Sequence, residues 1–187
     1  MRDGSATRQR IHQAALDLFV RRGVTETSVR DLAAAAGIAE GTLYRHYASK
    51  DDLVADLFVT NYTAFATRLC ALRAVAGFRA RIEAVAAEIF RFHDDDPTLF
   101  RFLLLVQHQA LSRAGAGADN PVSVLQSMVE DAIAAGEISL ADPALATAML
   151  LGLLLQPATA VVYGRLSGKL APHAPAIAAA CWRALNP

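Results

Sequence analysis

The segment Thr27–Tyr47, TSVRDLAAAAGIAEGTLYRHY, decides how this chain is read. It splits into two short helical pieces around Gly37. Thr27 or Ser28 caps the first piece through a side-chain oxygen, and Val29, Leu32 and Ala33 supply its buried side. Gly37 stands where the chain must turn sharply, a position suited to positive φ. The second piece runs from about Ala39 to Tyr47, with Leu43 and Tyr47 four residues apart.

Two short helices joined at a glycine turn meet the needs of a helix-turn-helix. One helix lies across the groove edge and the other enters it, while phosphate contacts fix the register. The entering helix needs small residues early, and Glu40-Gly41-Thr42 meets that need. Thr42 offers a hydroxyl and a methyl, which suit a phosphate or a thymine methyl. Tyr44, His46 and Tyr47 offer polar tips on flat apolar bodies, and Arg45 and Lys50 can neutralise phosphates. The bland alternative is a plain corner between two packed helices. The polar density after Gly37, in a chain whose other helices are apolar, weighs against it.

Outward from this segment every signal is helical, and no strand-like alternation stands out. Before it, residues 6–22 read as a helix with Ile11, Ala14, Ala15, Leu18 and Phe19 on one face. Arg21 and Arg22 sit at its partially negative end, and Gly23 ends it. After it, Ser49 caps a long helix bearing Leu53, Val54, Leu57, Phe58, Phe65 and Leu69. Phe78, Ile82, Val85, Ile89 and Phe92 mark the next. Asp96-Pro97 opens a helix to about Arg113, apolar on two sides through Leu99, Leu103 and Val106 and through Phe100, Leu104 and Leu111, which suggests a central position. Further helices are expected over about Val122–Ala135, from Pro143 to about residue 165, and over Pro172–Leu185. The expected fold is all-α, with about nine helices.

The chain has 187 residues, 54% of them hydrophobic, enough to bury a sizeable core. Its 18 basic and 18 acidic residues cancel, which excludes a surface that grips nucleic acid everywhere. The distribution is uneven. Residues 1–50 hold eight basic and five acidic groups, a net +3, and residues 51–187 carry −3. A basic leading piece on an acidic remainder suits a DNA-contacting module joined to one that leaves DNA alone. The division expected is a helix-turn-helix domain over 1–50 and a helical effector-binding and dimerisation domain over 51–187. Cys70 and Cys181 are far apart and lack metal-ligand spacing, as for reduced thiols in a cytoplasmic protein. The opening MRDGSATRQR has no apolar core of a secretory signal.

Residues 8–60 resemble the N-terminal domain of the TetR/AcrR family of bacterial transcriptional regulators. The matching features are Leu-Asp-Leu-Phe ahead of a glycine, Thr-Ser-Val-Arg-Asp-Leu-Ala, Ala-Gly-Ile, Gly-Thr-Leu-Tyr-Arg-His-Tyr and Ser-Lys-Asp-Asp-Leu, in this order and spacing. The resemblance covers about a third of the chain. It implies an all-helical homodimer, a repressor by family habit, that binds a palindromic operator and releases it when a small, lipophilic effector fills the C-terminal domain. It places Arg30, Glu40, Gly41, Thr42, Tyr44, His46 and Lys50 at DNA-contacting positions. Thr27 and Ser28 fall where phosphate is often held, which a helix N-terminus also favours. Two departures stand out. Ala39 replaces the Ser or Thr that commonly opens the recognition helix, and Glu40 repels phosphate, so it either reads a cytosine amino group or points away.

Beyond the resemblance, His93-Asp-Asp-Asp96 puts an imidazole beside three carboxylates. Consecutive helical residues do not converge on one point, so no metal or other cofactor is expected there. Residues 144–163 carry no charge and are long enough to cross a bilayer. Gln156, Pro157 and two threonines dilute them and no basic cluster flanks them, which favours a helix buried between two subunits. Leu145, Gly152, Val161 and Trp182 are the candidates for that interface. Phe65, Phe90, His93, Leu104, Gln107, His108, Met128, Met149 and Gln156 are candidate ligand contacts, apolar groups with a few polar ones among them. No nucleophile–base pair or phosphate-binding glycine loop is present, so an enzyme is not expected.

Overall fold

The computed structural model describes residues 2–114 and 120–186, with side chains described over 4–107 and 120–186. Among them are nine α-helices and no strand. They are α1 Arg2–Arg22, α2 Val29–Ala35, α3 Glu40–His46, α4 Lys50–Ala71, α5 Phe78–Asp95, α6 Pro97–Ala114, α7 Pro121–Ala134, α8 Pro143–Val162 and α9 Ala174–Leu185. The chain divides into two compact units, one of residues 1–61 with 98–116, the other of residues 62–97 with 117–187. α4 therefore supplies residues to both.

In the first unit α2 packs between α1 and α3. The core is built from Ile11, Ala15 and Phe19 of α1, each one turn from the next, with Leu32, Leu43, Leu53, Leu57 and Phe58. The Phe19 ring stacks on Phe102 of α6 at 6.2 Å between centroids, a contact that adds to plain area burial. Gly23, at φ 89°, ends α1 in the left-handed region, where only glycine sits without strain. α1 starts at Arg2, four residues ahead of the expected position.

In the second unit α5 packs against α7, α8 and α9. It buries Phe78, Ile82, Val85, Ala86, Ile89, Phe90, Phe92 and His93. The two-sided apolar pattern of α6 suggested a central helix, yet α5 holds that place in its own unit. α6 belongs to the first unit, where Phe100, Leu103 and Val106 are buried as expected, together with Phe102, while Leu99 and Leu104 are half-buried and Leu105 is exposed. Leu111 lies outside the described side chains.

Carboxylates fasten the second unit. Glu137 accepts the Phe78 N–H at the start of α5. Asp94 accepts the N–H groups of Leu170 and Ala171, both at 2.9 Å, and so pins the turn before α9 to the end of α5. Burial alone would raise the Asp94 pKa; those two bonds and the one from His93 outweigh it and hold the carboxyl below its ordinary range. Asp142 caps α8 by accepting from Ala144 and Leu145 at 2.9 and 3.1 Å, with Pro143 at the first helical position.

Candidate DNA-recognition site

α2 starts with a complete capping box. Ser28 Oγ accepts the Asp31 N–H at 3.1 Å, and Asp31 Oδ2 accepts the Ser28 N–H at 3.0 Å. The Ser28 hydroxyl also donates to that carboxylate, which lowers the Asp31 pKa from its ordinary value. Of the two expected caps, Ser28 is the one used. Thr27 is only 1% exposed and donates its hydroxyl to the Gly23 carbonyl at 2.8 Å. Its side chain closes the turn after α1, because a hydroxyl buried at that depth needs a protein acceptor. The α2 N-terminus, expected to hold phosphate, thus carries the chain's own carboxylate.

Gly37, at φ 64°, makes the turn into α3. Ala39 stands at the N-cap of α3 without a side-chain bond. Glu40, in the first turn, places a negative charge where the helix dipole favours one. Within α3 only Leu43 is buried. Glu40, Gly41, Tyr44 and Arg45 are exposed, and Thr42 and His46 half-buried. Tyr44 is the most open large hydrophobic side chain of this segment, at 52%. The Thr42 hydroxyl accepts from Arg45 at 2.9 Å, so those two present themselves together. A Cβ on Gly41 would meet nothing within 4 Å, so its smallness serves no contact inside the unit. Arg30, on α2, is exposed.

Lys50 has a task inside the unit that its position in the sequence did not reveal. Its Nζ donates to the carbonyls of Val24, Thr25 and Thr27 at 2.7, 3.3 and 2.9 Å. An ammonium has three protons, so the whole donor set is spent on the loop between α1 and α2. Tyr47 also differs from expectation. Its ring is buried, and its hydroxyl points to Arg8, His12 and Asp56 rather than outward.

The family model for bacterial regulatory proteins of the tetR family matches residues 11–57. Over these residues the chain is similar to the DNA-binding domain of that family. The match spans α1 from Ile11, the whole turn-and-helix segment and the first turns of α4. HTH-type transcriptional regulator AcrR of Shigella flexneri is 39% identical over 56 residues, which are 30% of this chain and 26% of that protein. The chain aligns with about a quarter of the length of the curated relatives it matches. That family and those relatives are transcriptional regulators, not enzymes. Two solved structures share the fold along nearly the whole chain. FadR of Bacillus subtilis, in complex with stearoyl-CoA, superposes with a TM-score of 0.78 at 21% identity, covering 93% of this chain and 97% of that one. FadR of Bacillus halodurans gives 0.80 at 19% identity, covering 94% of each.

The residues expected to meet a ligand fall into both units. Leu104 and Gln107 belong to the first and are half-buried. His108 lies outside the described side chains. In the second unit Phe65, Phe90, His93 and Met128 are buried and Met149 half-buried, whereas Gln156 is exposed. Gln156 shares its side of α8 with Leu145, Ala148 and Gly152, all exposed, while Ala146, Leu150, Leu154 and Ala158 face inward. α8 alone among the described helices is long and apolar enough to cross a membrane, by length and composition. Val161 and Trp182 are half-buried, and Trp182 carries the Arg79 guanidinium 5.8 Å from its ring centre.

Proposed function

We propose that the chain is an effector-released repressor that binds a palindromic operator as a homodimer in the cytoplasm. The observation that carries this reading is α3, a seven-residue helix with one buried anchor and an exposed polar face, within the TetR-family segment. Tyr44, Thr42, Gly41 and Arg45 of that face meet base edges and phosphates, and Arg30 approaches the flanking backbone. His46 and Glu40 lie at its edges, where Glu40 reads a cytosine amino group or turns aside. Two such helices about 34–36 Å apart meet successive major-groove faces on one side of the duplex.

The exposed side of α8 supports a symmetric dimer. Leu145, Ala148, Gly152 and Gln156 form an uncharged stripe with a glycine at its middle, and a self-complementary interface buries it on both subunits. Val161 and Trp182 lie on the same pair of C-terminal helices. The α8 faces that pack on α7 and α9 favour this reading over a bilayer-spanning helix.

The effector proposed is a long-chain acyl thioester, on the likeness to the FadR that binds stearoyl-CoA. In the second unit Phe65, Phe90, Met128 and Met149 supply apolar surface, and His93 is a polar group among them. The ligand releases DNA only to the extent that it binds the DNA-free conformation more tightly. The test is a footprint on the DNA upstream of the chain's own coding sequence, repeated with stearoyl-CoA and with coenzyme A alone. A protected palindrome that stearoyl-CoA clears and coenzyme A does not is the expected result. Equal protection in all three conditions overturns the effector, and no protection overturns the operator.

A further inference from the structure

We propose that Asp56 is a positioning residue for DNA recognition, acting through the Tyr47 hydroxyl on the end of α3. The proposal rests on the reading of α3 as the recognition helix. Four side chains meet at this point: Arg8 and His12 from α1, Tyr47 at the C-cap of α3, and Asp56 from α4. Arg8 pairs with Asp56 Oδ1 and donates from Nε to the Tyr47 oxygen at 3.1 Å. His12 Nε2 lies 2.7 Å from the Tyr47 oxygen and 3.0 Å from Asp56 Oδ2. The Tyr47 hydroxyl lies 2.8 Å from the same Oδ2.

Counting protons assigns the direction of each bond. An ionised carboxylate only accepts, so the Tyr47 hydroxyl donates its one proton to Asp56. The two short contacts of His12 Nε2 then require that nitrogen to carry a hydrogen. Asp56 is therefore the sink of the cluster, and the Tyr47 oxygen accepts from Arg8 and His12 while donating to Asp56. Burial alone would raise the Asp56 pKa, but the bonds from Arg8 and Tyr47 outweigh it and keep the carboxyl below its ordinary range. Burial, with the bond to Asp56, pushes Tyr47 up to about 12.

This matters because α3 is otherwise weakly held. Within the helix only Leu43 is buried, and an apolar contact resists withdrawal without fixing rotation about the helix axis. Hydrogen bonds are directional, and they hold the end of α3 to two neighbouring helices. Base reading tolerates an error of only about 0.5 Å or 10–20° in a contact. Rotational play in α3 thus costs operator preference before it costs phosphate attraction. Asp56 sets this angle without touching DNA.

The test compares the parent, Tyr47→Phe, Asp56→Asn and the double variant at one salt concentration. The probes are the duplex that the parent selects from a randomised pool and a scrambled duplex of equal length. Each single variant is expected to weaken binding to the selected duplex about tenfold, the worth of one charge-assisted hydrogen bond, and to leave the scrambled duplex unchanged. The double variant should lose no more than the worse single one, because both remove the same link. Tyrosinate absorbance adds an independent readout: the alkaline step missing from Tyr47→Phe should move to lower pH in Asp56→Asn. Asp56→Asn binding like the parent overturns the proposal, as does equal loss on both duplexes or additive losses in the double variant. If Asp56→Asn does not fold, Tyr47→Phe, which removes a single oxygen, decides by the same two-duplex comparison. A parent that selects no duplex overturns the underlying recognition-helix reading instead.

Discussion

The α2–α3 segment and α8 are similar in length and opposite in how they are held. The first is two seven-residue helices with two buried residues in α2 and one in α3. Specific polar bonds set its shape: the Ser28–Asp31 box, the Thr27 hydroxyl, the three Lys50 bonds and the Tyr47 cluster. α8 is a 20-residue apolar helix capped at its start by Asp142, with its buried stripe on one side and uncharged residues on the other. Short helices gain little from burial, so they need directional bonds to keep one geometry. A long apolar helix gains stability on any apolar surface, so its geometry depends on what covers it. On the proposed function, the surface that must be accurate is built from the first kind, and the surface that must be sticky from the second.

Breaking α8 should have the largest effect. Leu145→Arg places a charge on the exposed stripe, and in an isologous dimer it is buried twice, at about 3–5 kcal/mol each. The expected outcome in sedimentation is a folded monomer at concentrations where the parent is a dimer. An unchanged dimer would move the interface off this stripe. Next is Leu43→Ala, which empties a fully buried position and should cost about 2–5 kcal/mol in denaturant unfolding. A loss below about 1 kcal/mol would mean that the polar bonds carry α3 without their apolar anchor.

Lys50→Ala sharpens the contrast further. It removes the donor shared by three loop carbonyls and should cost about 1–3 kcal/mol of stability. If Lys50 also meets a phosphate, the slope of log affinity against log salt falls by about 1. A changed slope with unchanged stability would mean that the loop bonds contribute nothing. The smallest effect is on pH dependence. Asp56 and Asp94 titrate below their ordinary range in the folded chain. Their contribution is complete above the unfolded carboxylate pKa of about 3.9 and is lost as pH falls through the folded values. Tyr47 is shifted the other way. Its contribution is complete below its unfolded pKa of about 10 and is lost as pH rises towards about 12. Asp56→Asn should flatten the acid limb of a melting-temperature profile, and Tyr47→Phe the alkaline limb.

Much of this was legible in the sequence, for identifiable reasons. Gly37, the apolar spacing of Leu32, Ala33 and Leu43, and the polar run after Gly41 are local signals, and they placed α2 and α3 to within a residue or two. The missing cap at Ala39 was readable for the same reason. The Tyr47 cluster was not. Arg8, His12 and Asp56 lie 39, 35 and 9 residues from Tyr47, and no periodicity links them. The one available hint was Arg8 and His12, four apart on α1 beside its buried stripe, where a polar pair needs a partner. The loop bonds of Lys50 were not legible, because a basic residue after such a helix suggests phosphate, while the carbonyls it holds lie 23–26 residues earlier. The uses of α8 were harder to separate, because composition alone suits a core, an interface or a bilayer. Only the pattern of burial along its length distinguishes its inner stripe from its outer one.

The central claim is that the exposed face of α3 reads DNA. The most direct measurement is the affinity of the parent and of Tyr44→Ala for the selected duplex across a range of salt. Tyr44 is 52% exposed, so its loss should leave unfolding stability within about 0.5 kcal/mol. The affinity should fall by about tenfold or more, which corresponds to about 1.4 kcal/mol. A Tyr44→Ala variant that binds the duplex as the parent does, at every salt concentration, would contradict the assignment of α3 as the recognition helix.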